Sequence, residues 1–424
     1  MHIPYIIRVL VSLLVILAAH KLFKKLWLAV LVGTLLLAFW IGHSPASLWA
    51  ISWQRAVSLN NVLLMAIIFQ VIWLSSQMSA SGNMKEMVDN IRFLISKRFS
   101  MAILPAIIGL LPMPGGAIFS APLLDDCDTD KQVRPILKTK INYWFRHIWE
   151  YWWPLYPGVL LAVDITGLPI VSFMMLQLPL SLLSVLAGYF FLLRQIKSSS
   201  RTKIVINRAR ITKIILAMTP IIVIMAVYFL MKMFLPVISG ISKYLPMIIA
   251  IVIAQLVLQI QKPQSWETWK KILFSSKALV MVVIVLLIRI YGAFVEGRLT
   301  DGTFLMTHMR NELNTWQFPY ILIIMFIPFI SGLTTGVAIG FVGASFPVIM
   351  SLLGTDPGMK EILSTTVLAY ASGYMGMILS PVHICLIVTN EHFKTSLTQS
   401  LIKLIKPVLV MIAGALIFYF LLRQ

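Results

Sequence analysis

Residues Gly109–Pro122 read GLLPMPGGAIFSAP, within a run otherwise apolar enough to cross a bilayer. Pro112 and Pro114 remove backbone donors and Gly115 and Gly116 loosen the chain, so a continuous helix is disfavoured here. Unpaired backbone groups are costly in hydrocarbon. The surroundings are nevertheless those of a membrane protein: 59% of residues are hydrophobic and 12% charged, with a mean hydropathy of +0.91. Soluble domains carry roughly 25% charged residues. Broken backbone at membrane depth is tolerated where it lines a cavity, which makes this stretch the first candidate for a binding site.

Apolar runs near the bilayer length recur along the chain. They predict spanning helices near 4–19, 26–42, 57–79, 145–166, 168–193, 214–236, 244–261, 277–297, 362–390 and 403–422, with interrupted hairpins at 99–124 and 318–353. The first run lacks a small-residue cleavage site and reads as a retained helix. The net charge of +20 does not call for nucleic acid. With the N-terminus placed outside, most Lys and Arg fall in alternate loops around Lys21–Lys25, Lys85–Arg98, Lys131–Arg146, Arg194–Lys213, Lys262–Lys277 and Lys394–Lys406. The positive-inside rule accounts for that distribution. The expected setting is the cytoplasmic (inner) membrane, crossed many times, with the lipid bilayer as partner. Cys127 and Cys385 are far apart and lack metal-ligand spacing.

The broken stretch has a counterpart. PAIIGL (Pro105–Leu110) resembles PFISGL (Pro328–Leu333), GGAIFSAP ending at Pro122 resembles FVGASFP ending at Pro347, and YWWPLYPGVLLAV resembles YMGMILSPVHICLIV, aligning Pro157 with Pro381. The three matches fall in order at a nearly constant offset. Each half then holds an odd number of crossings, so the second half enters from the opposite face. The expected fold is all-α and polytopic, with about ten transmembrane helices and two re-entrant hairpins in two inverted repeats. Residues 1–193 form the first repeat, 194–213 a basic cytoplasmic linker, and 214–424 the second repeat. The interrupted helices are 145–166 and 362–390, with Pro154, Pro157 and Gly158 in the first unwound segment and Gly373 and Pro381 in the second.

The motifs LLPMPGGAIFSAPL, NYWFRHIWEYWWPLYPG and SPVHICLIVT resemble a prokaryotic membrane family, domain of unknown function family 401. That family is placed in the ion transporter superfamily beside gluconate permeases, lactate permeases and dicarboxylate carriers. The resemblance covers nearly the whole chain. It implies a scaffold domain, a transport domain of two hairpins and two unwound helices, and a possible homodimer. Pro112–Gly116 and Ser331–Gly336 stand where better-known members carry Ser-Asn-Thr tripeptides.

The candidate substrate-binding residues are Pro114, Gly115, Gly116 and Ser120 of the first hairpin, Ser331, Thr334, Thr335, Gly336 and Ser345 of the second, and Ser380 and His383 of the second unwound helix. Opposed half-helix ends present N–H groups to an anion, and unwound carbonyls suit Na⁺. Small residues also simply let membrane helices approach. Glu150 and Asp164 are candidates for H⁺ or cation coupling. Glu150 has Arg146 one turn before it, which equally fits a structural ion pair, and Asp164 reads as mainly interfacial. His383 could titrate or donate to a carboxylate. Arg289 could pair an anion or snorkel. The cluster Trp144, Phe145, Trp149, Tyr151, Trp152, Trp153 and Tyr156 reads mostly as an interfacial belt, with Tyr151 or Tyr156 near the site.

The function expected is secondary active transport of a small organic anion coupled to Na⁺ or H⁺, with no catalytic residues, metal site or other cofactor. Na⁺/H⁺ antiport is the alternative. An intramembrane enzyme using DDCDTD (Asp125–Asp130) for Mg²⁺ is less favoured, because no second acidic cluster exists and Lys131, Arg134, Lys138 and Lys140 follow at once.

Overall fold

The structure, a computed structural model, describes residues 3–91, 96–112, 116–196, 208–354 and 356–424. Pro114, Gly115 and most of the 194–213 linker lie outside these residues. The first half contains α1 (Tyr5–Phe23), α2 (Leu26–Trp40), α3 (Pro45–Val57), α4 (Leu59–Ala80), α5 (Asn83–Ile91), α6 (Lys97–Gly109), α7 (Ala117–Cys127), α8 (Pro135–Arg146), α9 (Pro157–Thr166) and α10 (Ile170–Phe191). The second contains α11 (Arg208–Phe234), α12 (Pro236–Ile241), α13 (Leu245–Gln261), α14 (Trp266–Leu273), α15 (Ser276–Glu296), α16 (Leu305–Thr315), α17 (Tyr320–Thr335), α18 (Ala338–Leu352), α19 (Met359–Ile378), α20 (Ile384–Phe393) and α21 (Leu397–Arg423). Among the described residues no β-strand forms beyond one isolated bridge, Arg298 to Phe304.

Among the described residues six segments are individually long and apolar enough to cross a membrane: Tyr5–Phe23, Leu59–Ala80, Ile170–Gln195, Arg208–Phe234, Trp266–Glu296 and Leu397–Arg423. The expected spans at 26–42 and 244–261 are shorter helices of 15 and 17 residues. Those at 145–166 and 362–390 are broken pairs, α8–α9 and α19–α20. The short helices α3, α5, α14 and α16 were not anticipated; their polar faces erase the long apolar run on which span-finding depends. Leu22, Val237, Ile260 and Phe274 are largely exposed, as lipid-facing side chains are.

Polar contacts sort the helix ends onto two faces. On one, Lys97 at the start of α6 and Lys138 of α8 each lie 2.7 Å from Asp128, just past α7. On the same face, His392 of α20 lies 2.9 Å from Asp125. On the other, Arg310 of α16 donates to the Leu353 carbonyl past α18 (3.3 Å), and Tyr320 at the start of α17 donates to Asn314 (2.8 Å). The outer ends of α6 and α7 thus share one set of polar contacts with α8 and α20, and those of α17 and α18 share another with α16.

Packing comes in matched pairs. Helices α6–α8 and α17–α19 pack, as do α7–α20 and α18–α9, α1–α2 and α11–α13, and α2–α15 and α13–α4. In the α17–α19 pair, a Cβ on Gly332 would lie 2.1 Å from the Gly373 carbonyl and one on Gly376 2.0 Å from that of Phe329. Glycine permits this backbone approach.

Candidate functional site

The first break, His147–Tyr156, interrupts α8 and α9 because Pro154 and Pro157 supply no N–H and restrict the residues before them. Tyr156 is accordingly extended, at φ −81° and ψ 124°. The second break, Leu379–His383, contains Pro381. Pro154 and Pro381 lie within the breaks, whereas Pro157 and Gly158 open α9 and Gly373 sits inside α19. Gly373 was expected in the break; its position there is set by close packing against Phe341, which a Cβ would meet at 2.3 Å.

Freed carbonyls need donors, and tyrosines of one half supply them to the other. Tyr374 donates to the His147 carbonyl and Tyr370 to that of Glu150 (2.7 Å), while Tyr143 donates to the Ile378 carbonyl (3.0 Å). Tyr156 reaches the Gly109 carbonyl, Trp149 that of Ala106 (2.7 Å), and Trp144 that of Ser184 (2.9 Å). Tyr143, Trp144, Phe145, Tyr151, Trp153 and Tyr156 are buried. The aromatic cluster is thus not an interfacial belt. Trp144, Trp149 and Tyr156 donate to main-chain carbonyls, and Phe145, Tyr151 and Trp153 pack beside them in the core.

The breaks meet through their polar side chains. His147 Nε2 and His383 Nε2 are 3.1 Å apart, and Glu150 Oε1 lies 3.8 Å from His147 Nε2. His147 Nδ1 is 2.6 Å from the Tyr143 carbonyl, so Nδ1 carries the proton there and Nε2 accepts from His383. Arg146, the last residue of α8, is buried against the first hairpin. A Cβ on Gly116 would stand 2.2 Å from its Nη2. At the second tip Gly336 has φ +64°, and its Cβ would lie 3.0 Å from both His383 N and Ser380 Oγ. Ser380 donates to the Leu333 carbonyl at 2.7 Å. Gly158 in turn abuts Ala338, where a Cβ would be 2.6 Å away. Each of the four helices α7, α9, α18 and α20 starts at a tip or a break, so their positive ends collect beside one guanidinium and two imidazoles.

The other expected residues are less central. Ser120 and Ser331 are buried, with hydroxyls that have no hydrogen-bond partner among the described residues. Thr334, Thr335 and Ser345 donate to their own helices, to Ile330, Ser331 and Phe341 carbonyls. Asp164 lies not at the breaks but at the end of α9. There its side chain, only 6% exposed, lies 2.7 Å from Arg289 Nε and accepts from Tyr244. Asp164 and Arg289, read separately in the sequence, are thus partners. Asp125, Asp128 and Asp130 of DDCDTD are engaged by Lys97, Lys138 and His392.

Sequence reasoning missed Arg146 and His147 as site residues, and with them Cys385. The ligand atoms of His147, His383 and Cys385 lie within 4.8 Å of one another. This set has the composition of a soft-metal site. The Arg146 guanidinium directly precedes His147 in this cluster. The only sequence hint was the polar dipeptide Arg146–His147 inside an apolar run beside a proline pair.

No curated protein matches the sequence. A family profile described as "Protein of unknown function (DUF401)" matches residues 6–422, nearly the whole chain, and the chain belongs to that family of multi-pass membrane proteins.

Proposed function

We propose that the protein is a secondary active transporter for a small organic anion, a carboxylate, held where the two breaks and the two hairpin tips meet. The observation that carries this reading is the buried Arg146 guanidinium against Gly116, on the helix whose next residue, His147, meets His383 of the other half. A guanidinium at membrane depth is chemically suited to hold a carboxylate during a transport cycle. It also disfavours a bare cation pathway, which sets Na⁺/H⁺ antiport behind anion transport. The line Glu150, His147, His383 offers a route for a coupling proton, with Na⁺ held by unwound carbonyls as the other coupling ion.

The matched packing supports two inverted repeats with about ten crossings, counting each broken pair as one. The unmatched packing supports alternating access. Helix α18 packs on α15 and α9 on α4, yet among the described residues the counterparts α7–α4 and α20–α15 make no comparable contact. The hairpin assembly is closed against α4 and α15 toward the face that holds Asp164 and Arg289, and looser toward the basic face, an inward-open arrangement in the cytoplasmic membrane. The reading is tested by purified protein in liposomes, assayed for uptake of labelled lactate, succinate and gluconate under imposed pH and Na⁺ gradients. Gradient-driven accumulation of one of them supports it. Downhill cation exchange with no carboxylate movement opposes it.

A further inference from the structure

Away from the breaks, near Asp164, lies a cavity of ≈490 Å³ lined by Arg55, Asn60, Asn61, Asp164, Lys243 and Arg289 among others. Its volume falls in the range of small-molecule sites. Three of those side chains are cationic and one is a carboxylate. Asp164 is shared between Arg289 (2.7 Å) and Lys243 (3.8 Å), while Arg55 is held by Glu296 at 2.9 Å. Asn61 is 2% exposed, and among the described residues neither its Oδ1 nor its Nδ2 has a hydrogen-bond partner. Buried amides are rarely left so without a ligand or water to complete them. Asn61 stands in the first turn of α4, a 22-residue helix whose N-terminus lacks a side-chain cap. The N–H groups of Leu59, Asn60 and Asn61 have no acceptor within the helix, which makes this end receptive to negative charge.

We propose that this cavity is a second anion site, taking a carboxylate or phosphate group between the start of α4, Arg289 and Lys243. The group is that of a small free anion or of an anionic lipid headgroup, the chemistry being the same. An anion there draws Arg289 and Lys243 away from Asp164, the residue through which α9 is tied to α15. Occupancy therefore loosens the contact that closes this face. The site stands whether or not the central one carries substrate.

The test is calorimetric titration of the purified protein, in uncharged detergent, with lactate, succinate and inorganic phosphate. The parent is compared with Asn61→Leu, Asn61→Asp, Arg146→Gln and Gly116→Ala. Loss of the amide's bond to a charged group should weaken binding about tenfold in Asn61→Leu, and the added charge should abolish it in Asn61→Asp. The same binding should survive Gly116→Ala and, where that variant folds, Arg146→Gln. Binding that vanishes with the Gly116 or Arg146 change but ignores both Asn61 changes overturns the proposal and leaves one central site. A parallel titration uses nanodiscs of phosphatidylglycerol or phosphatidylcholine. Stabilisation by phosphatidylglycerol alone, lost in Asn61→Asp, keeps the anion site and assigns it to a lipid headgroup. No response to any free anion or to phosphatidylglycerol rejects it.

Discussion

Replacing Gly116 with alanine separates folding from function at the first hairpin tip. The new Cβ would lie 2.2 Å from Arg146 Nη2 and 3.0 Å from Cζ. To reach ordinary contact the guanidinium must retreat by about 1 Å, and misplacement on that scale costs roughly 100-fold where geometry is demanding. The obstacle is the end of a flexible side chain, so the chain folds, at a cost within the roughly 1–3 kcal/mol typical of overpacking. Gly109→Ala makes the contrast: its Cβ would lie 1.9 Å from the Arg146 main-chain oxygen, which cannot swing aside. That variant should lose thermal stability outright. Gly240→Ala, with nothing within 4 Å, should change neither property. The assay is carboxylate uptake in proteoliposomes, normalised to protein whose melting temperature has been measured. Parent-level uptake by Gly116→Ala would refute the assignment of Arg146 to the anion.

Tyr370→Phe should lower stability by about 1–3 kcal/mol, because it strands the Glu150 carbonyl in a dry interior; unchanged thermal unfolding would show that the phenol is not needed there. Burial works against the charge on Asp128, but hydrogen bonds from Lys138 and Lys97 outweigh it and hold its pKa at about 2, below the usual 3.8. The lowered value means that this stabilisation is complete above about pH 4 and is lost as pH falls toward 2. Asn at this position should then cost of order 1–2 kcal/mol at pH 7, after discounting for its place at the bundle's edge, and only a small fraction of that near pH 2. Thermal unfolding of both proteins across that range gives the comparison, and a gap that persists undiminished at pH 2 would contradict it. Asp164→Asn removes the charge facing Arg289 and Lys243 and should open the face held by that pair; a thiol reagent should then label Asn61→Cys faster than in the parent background, and equal rates would refute the closure. Replacing His147 with alanine should leave carboxylate exchange measurable while removing its dependence on a pH gradient; retained proton coupling would take the imidazole pair out of the route.

The breaks and the hairpins were legible because proline and glycine act locally. Pro154, Pro381 and Gly336 impose on their own backbone what the structure contains. The paired helix packing follows the order in which the same local signals recur. The site was less so. Arg146, His147, His383 and Cys385 come together only when α8 crosses α20, and no spacing within either segment carries that meeting. Tyr143, Tyr370 and Tyr374 were hidden for another reason. A tyrosine near a helix end has the same composition whether it meets headgroups or caps a buried carbonyl, and the difference is the partner in the other half. Asp164 and Arg289 likewise looked like two independent interfacial residues until α9 was laid beside α15.

The most direct measurement is uptake by Arg146→Gln beside the parent in proteoliposomes, with Arg146→Lys as the charge-conserving variant. If an anion rides at the crossing of the breaks, Gln abolishes gradient-driven carboxylate uptake, and Lys, a point charge without the planar fork, restores a fraction of it with weakened affinity. Carboxylate accumulation at the parent rate in a folded Arg146→Gln protein would contradict the account.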